Sequence, residues 1–151
     1  MKLAERDEHF VVGYTVRTDN TAEADPKQAR LPDLWRRATA PDAFAAVEGR
    51  LDDRMYAVLT DYESDHHGAY TEVVGVAVAD LGRIPEGFVG VRVPAAQCLL
   101  VPVRGPIPQA LVEAWQGVWQ YTESGDTPAR SFATDLEIYH EDGADLFLSV
   151  A

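Results

Sequence analysis

The chain has 151 residues, 46% of them hydrophobic, and a formal net charge of -12 from 25 acidic side chains against 13 Lys and Arg. That length suits one domain, residues 1–151, able to bury a core without disulfides or metal, and its apolar content with interspersed charge excludes intrinsic disorder. The acidity removes the basic footprint of nucleic-acid binding, so no direct DNA or RNA contact is expected; a cationic ligand or a basic protein surface is favoured, although in most acidic proteins such charge serves solubility alone.

No apolar run approaches the roughly 18 residues that cross a bilayer, so no membrane contact is expected. Residues 1–9 are charged and lack the apolar stretch of a secretory signal, so a cytoplasmic location is expected. The lone Cys98 cannot form an intrachain disulfide, and its place in the apolar run with Leu99, Leu100 and Val101 reads as core.

In chain order, residues 9–17 alternate Phe10, Val12, Tyr14 and Val16 against Val11, Gly13 and Thr15, the pattern of a largely buried strand. Asp25-Pro26 and Pro32-Asp33 each signal a helix start, so the helix before Ala40 is broken or begins late. Leu31, Leu34, Trp35 and Ala38 give it one apolar face, and Pro41 ends the pattern. Residues 41–54 form a mixed connection with a helical turn near residues 44–47.

Two strands follow, residues 55–62 and 70–79, around a polar loop, and read as a hairpin. After a turn-rich stretch the pattern restarts with strands at residues 88–93 and 97–104. Gly105, Pro106 and Pro108 then open a helix striped by Leu111, Trp115, Val118 and Trp119. Gly125 stops it, residues 132–141 form a strand, Asp142-Gly143 a tight turn, and residues 145–150 the last strand. The fold class is thus α+β: two strand-helix-strand-strand units, about residues 9–80 and 88–151, with a ligand groove expected between them.

The strand containing Asp135, Leu136, Glu137, Ile138 and Tyr139 carries the most chemistry. Alternation turns Leu136 and Ile138 to a core and Glu137 and Tyr139 to the other face, which is either water or a cleft. In a cleft, Glu137 is placed to recognise a cation, because burying an unpaired carboxylate is costly and a cationic ligand relieves the cost. Tyr139 shares its face and either packs across strands, stacks on a ligand or hydrogen-bonds Glu137. Trp115 reads as plain helix packing.

Asp61, Glu63, Asp65, His66 and His67 are the one cluster resembling metal ligands, but adjacent histidines on a hairpin tip are not expected to converge, and a solvated loop is the reading. No metal and no cofactor are expected. His9 and His140 are too scattered for a triad, and neither a Gly-x-Ser-x-Gly nor a phosphate-cradling glycine loop is present.

Taken together, the Leu34-Trp35 helix, the hairpin with its Tyr70 to Val78 strand, the Ile84-Pro85-Glu86-Gly87 turn, the Val93-Pro94-Ala95 step and the Asp135 to Tyr139 strand resemble the GyrI-like family of bacterial transcription activator effector-binding domains, including its stand-alone integron-associated members. The resemblance covers residues 9–151. It implies a groove that binds lipophilic, often cationic, aromatic molecules, with Glu137 as the pocket glutamate and Trp35, Trp119, Tyr139, Tyr62, Tyr14, Tyr56 and Phe88 as candidate lining residues. Because the family region begins within about ten residues of Met1, a free-standing sensor or sequestering protein is expected, with no catalytic residue assigned. Two alternatives follow from the same family: a hydrolase of electrophilic small molecules using Glu137, and an inhibitor of a protein partner such as DNA gyrase.

Overall fold

The alternation of apolar side chains is satisfied by one eight-stranded sheet that buries residues on both of its faces. The computed structural model describes residues 1–151. Its strands are β1 (Lys2–Arg6), β2 (His9–Thr18), β3 (Tyr56–Thr60), β4 (Tyr70–Val78), β5 (Val89–Val93), β6 (Ala96–Arg104), β7 (Asp135–His140) and β8 (Gly143–Ser149). The helices are α1 (Asn20–Glu23), α2 (Leu31–Ala38) and α3 (Gln109–Glu123). None is long and apolar enough to cross a membrane.

The strand order is β1-β6-β8-β7-β3-β4-β2-β5, every neighbouring pair antiparallel. Helix α2 packs on β2 and β4, and α3 packs on β6 and β8. Beneath α2 lies a cluster of Val12, Leu34, Ala38, Ala57, Val74 and Val76; beneath α3 lies one of Leu99, Val103, Val118, Ala144, Leu146 and Leu148. A third cluster, including Val11, Tyr56, Val58, Val73 and Leu136, fills the opposite face. Since the two long helices sit on outer strands, the central strands β3 and β7 lie beneath the gap between them. That gap positions the site.

Four local expectations change, and the expectation of a broken or late helix before Ala40 holds. Residues 2–6 form a strand: β1 has little apolar surface of its own but pairs with β6 along its length, and the buried Arg6 donates to the carbonyls of Pro94 and Thr134 at 2.7 and 2.8 Å. The first helix starts earlier than Asp25-Pro26, capped by Asp19, whose carboxylate accepts the Ala22 N–H at 2.7 Å. The main helix begins at Leu31, so it is the Pro32-Asp33 signal that operates. Strand β7 begins at Asp135, because Phe132 takes a left-handed φ of 53° that no strand accommodates. Its partner β8 starts at Gly143, where φ is 152° and a Cβ would collide with the Val103 carbonyl oxygen. Cys98 is fully buried, as its apolar neighbours require.

Candidate functional site

Between α2 and α3 the sheet floors a cavity of about 470 Å³ lined by seventeen residues. Its floor comes from alternate residues of the central strands: Leu59 of β3, Tyr70 and Glu72 of β4, and Glu137 of β7. Its walls include Leu31 and Trp35 of α2 with Leu111, Val112, Trp115 and Trp119 of α3. The chain has three tryptophans, and all three line this space.

Glu137 is 4% exposed. Its Oε1 accepts the Tyr139 hydroxyl and its Oε2 the Trp115 indole N–H, each at 2.6 Å. Burial raises its pKa, opposed by these two donors. Tyr139 stays a neutral donor, since burial and the neighbouring carboxylate push its own pKa well above the ordinary phenol value.

The structure corrects the reading of Trp115. Helical spacing marks it as packing, and it does pack, but its N–H is spent on the site carboxylate and its ring on the cavity wall. Periodicity reports which face a side chain shares; it does not report where an indole N–H points.

Glu72 is the residue that sequence reading passes over. It is 3% exposed and lines the cavity beside the Trp35 indole. Burial first, then the charges of Glu137 and Glu23, push its pKa well above the ordinary value, with the Trp35 indole acting in the opposite direction. The signal was present: a lone carboxylate in the otherwise apolar strand 70–78, on the same face as Val74, Val76 and Val78.

Glu23 also borders the cavity, but its carboxylate is engaged, accepting from the Thr18 hydroxyl at 2.6 Å and from the backbone N–H groups of Arg30 and Leu31 at 2.9 and 3.1 Å. At another edge, the buried Arg130 donates to Asp135 Oδ2 at 2.7 Å, and the Tyr62 hydroxyl donates to the same oxygen at 2.6 Å. Asp135 Oδ1 accepts the Ser149 N–H at 2.9 Å. The Arg130 guanidinium lies 4.4 Å from the Phe132 ring centroid and 5.6 Å from that of Trp115. The left-handed backbone at Phe132 is thereby tied to a packing contact.

Of the residues singled out in sequence, Glu137, Trp35, Trp119 and Tyr62 line the cavity. Tyr139, nominated as a lining residue, does not line this cavity: it stands edge-on to Trp35 at 5.0 Å and borders a neighbouring cleft of about 550 Å³ that Trp35 shares, reaching the site through its hydrogen bond to Glu137. Tyr14 and Phe88 lie elsewhere, stacked with Phe44 in an aromatic group on the α2 side of the sheet at centroid distances of 4.9 to 5.7 Å. Tyr56 belongs to the core on the opposite face and donates its hydroxyl to Asp52 at 2.6 Å. Burial and that carboxylate push its pKa up to about 12. These three do not border the cavity.

The adjacent histidines do converge, against expectation: His66 Nε2 and His67 Nε2 lie 2.8 and 3.1 Å from Glu123 Oε1, and ligand atoms of Asp65, His66 and His67 fall within 4.8 Å of one another. The contact clasps the β3–β4 loop onto the end of α3, with His66 at the cavity edge.

An α+β fold whose helices enclose an aromatic cavity over a carboxylate-bearing sheet defines a small-molecule-binding protein. The chain belongs to the integron-associated effector-binding protein family, Cass2, whose family model matches residues 2–150. It superposes on the integron cassette protein VCH_CASS2 from the mobile metagenome of Vibrio cholerae with a TM-score of 0.83 at 26% identity, covering 99% of this chain and 95% of that one. The fold is shared with SAV2435, whose structure contains tetraphenylphosphonium (TM-score 0.73, 13% identity, 99% and 93% covered). It is shared too with EcmrR in a DNA complex (TM-score 0.64, 17% identity, 99% of this chain and 56% of that one). A comparison with curated protein sequences found no match.

Proposed function

We propose that this chain is a receptor for cationic or lipophilic aromatic small molecules, which it senses or sequesters without chemical turnover, in the cavity over β3, β4 and β7. The observation that carries this reading is the cavity itself: about 470 Å³, walled by every tryptophan of the chain and floored by two buried carboxylates. That volume falls in the range of drug-sized ligand pockets, roughly 300–1,000 Å³. Aromatic faces attract organic cations by about 0.5–2 kcal/mol each, and the floor supplies the negative charge. Membership of an effector-binding family and the tetraphenylphosphonium found in a protein of the same fold support the assignment.

We read the chain as one domain of two related strand-helix-strand-strand halves. Supporting this, β2-β4-β3 and β6-β8-β7 repeat one pairing pattern and meet at β3 and β7. The ligand would then lie at the junction of the halves.

The test is titration with tetraphenylphosphonium, followed by tryptophan emission, against the Glu137→Gln variant. Weaker binding by the variant supports the acidic floor; unchanged affinity removes Glu137 from it.

A further inference from the structure

Two histidines converge on one carboxylate oxygen at the outer edge of the fold. His66 and His67 are neighbours in the β3–β4 loop, their ring centroids lie 4.1 Å apart, and both Nε2 atoms approach Glu123 Oε1, at 2.8 and 3.1 Å. Other contacts hold the loop in this shape: Asp65 Oδ1 accepts the His67 N–H at 2.8 Å, and the Asn20 side chain donates to the His66 carbonyl at 2.8 Å. A carboxylate oxygen of Asp65 and a nitrogen of each ring fall within 4.8 Å of one another. A clasp made of hydrogen bonds alone needs one imidazole, and two protonated rings this close would repel each other.

We propose that His66, His67 and Glu123 form a site for a divalent transition metal of the zinc class, with Asp65 as a neighbouring second carboxylate. Tetrahedral coordination at about 2.0–2.2 Å sets adjacent donor atoms about 3.3 Å apart, so the two N···O separations need to open by only a few tenths of an ångström. The Nδ1 of His66 has no hydrogen-bond partner, so nothing on that side of the ring commits the proton to Nε2, and the Nε2 lone pair is available to a metal. No Lys or Arg pairs with Asp65 or Glu123; the ion-pair partners of Glu123 are the two histidines alone. Helix α3 ends at Glu123 with no basic residue in its last turn, so the negative end of the helix adds to the same field. The chain's other histidine–carboxylate group differs on this point: His140, Asp142 and Asp145 have the Arg104 guanidinium 4.0 and 3.4 Å from their carboxylates, where it takes the place of a cation. Imidazole nitrogen with carboxylate oxygen suits Zn²⁺, Ni²⁺ or Cu²⁺ and disfavours Mg²⁺ and Ca²⁺, which take oxygen ligands. The ion would staple the β3–β4 loop to the end of α3, and because His66 also lines the cavity, it would stiffen the cavity's edge. The site does not depend on what the cavity binds.

The experiment is calorimetric titration of the untagged full-length protein with zinc chloride, together with thermal unfolding in zinc and in EDTA. The wild type should bind one Zn²⁺ saturably, keep it in excess Mg²⁺ or Ca²⁺, and melt at a higher temperature in zinc than in EDTA. His67 and Glu123 are exposed, so His67→Ala and Glu123→Gln should melt near the wild type in EDTA. Each should lose about tenfold or more in zinc affinity, since removing even a group that only supports a metal ligand costs that much. His140→Ala should bind zinc as the wild type does. A wild type with no saturable zinc binding and no zinc-dependent melting shift overturns the site, leaving a hydrogen-bonded clasp. Wild-type zinc affinity in either His67→Ala or Glu123→Gln overturns the ligand set.

Discussion

The Trp115 indole N–H donates to Glu137 Oε2 at 2.6 Å, joining α3 to the central strand β7 across the cavity. This bond positions one wall and one charge at once. Trp115→Phe keeps the ring but removes the donor, leaving a buried carboxylate oxygen unpaired. We expect a stability loss of about 1.5–3 kcal/mol, as for hydrogen bonds to charged groups, read by denaturant unfolding.

The floor also makes stability and binding respond to pH in opposite directions. Burial and the neighbouring acids place the folded pKa of Glu72 well above 4.5, and burial raises that of Glu137. The folded protein therefore holds protons that the unfolded chain releases. Stability from this source is fully present below about pH 4.5 and is lost as pH rises through the folded values. The groups facing the pair are Glu23 of α1, Tyr70 of β4, Asp135 and Tyr139 of β7, and the loop residues Tyr62, His66 and Arg130. A bound cation favours the ionised floor, so affinity for tetraphenylphosphonium should rise as the pH climbs above about 4.5 while the ligand-free melting temperature falls. In Glu72→Gln both slopes should flatten.

Arg130 and Asp135 form an ion pair whose side chains are 2% and 1% exposed. Removing one member leaves the other buried and unpaired, so Asp135→Leu should cost about 3–5 kcal/mol. The double variant Arg130→Met with Asp135→Leu should recover the part of that loss owed to the orphaned guanidinium, but not the part owed to the Tyr62 hydroxyl and Ser149 N–H, which still lack their acceptor. A double-mutant cycle in urea checks the coupling.

Tyr14 and Phe88 pack with Phe44, away from the cavity. Tyr14→Phe should therefore leave ligand affinity within about twofold of wild type, the behaviour of a site with no shared partners. Trp119→Leu, in the wall, should weaken binding by about 0.5–2 kcal/mol. Comparing the two by tryptophan quenching and calorimetry separates cavity residues from core aromatics.

Strands with a clean apolar alternation were legible in the sequence: β2, the β3–β4 hairpin and β6 fall where their period places them, because each has its own buried face. Strand β1 was not legible, since it is held by pairing with β6 and by the Arg6 side chain instead of by its own apolar residues. The acidic anchor Glu137 could be nominated from alternation and family likeness, and it does face the cavity. Tyr14, Tyr56 and Phe88 are aromatics on strands expected to border the groove, but neither aromatic character nor strand membership distinguishes a cavity wall from a core. Glu72 was visible as a charge in an apolar strand; recognising it as a cavity residue required knowing where the gap between α2 and α3 falls on the sheet.

Because Trp35, Trp115 and Trp119 are the chain's three tryptophans and all line the cavity, their emission reports directly on occupancy. Titrating the wild type with tetraphenylphosphonium and with neutral triphenylphosphine oxide is the most direct test. The account predicts saturable quenching by the cation, with the neutral compound binding much more weakly. Equal quenching by both compounds, or none by the cation, would contradict it.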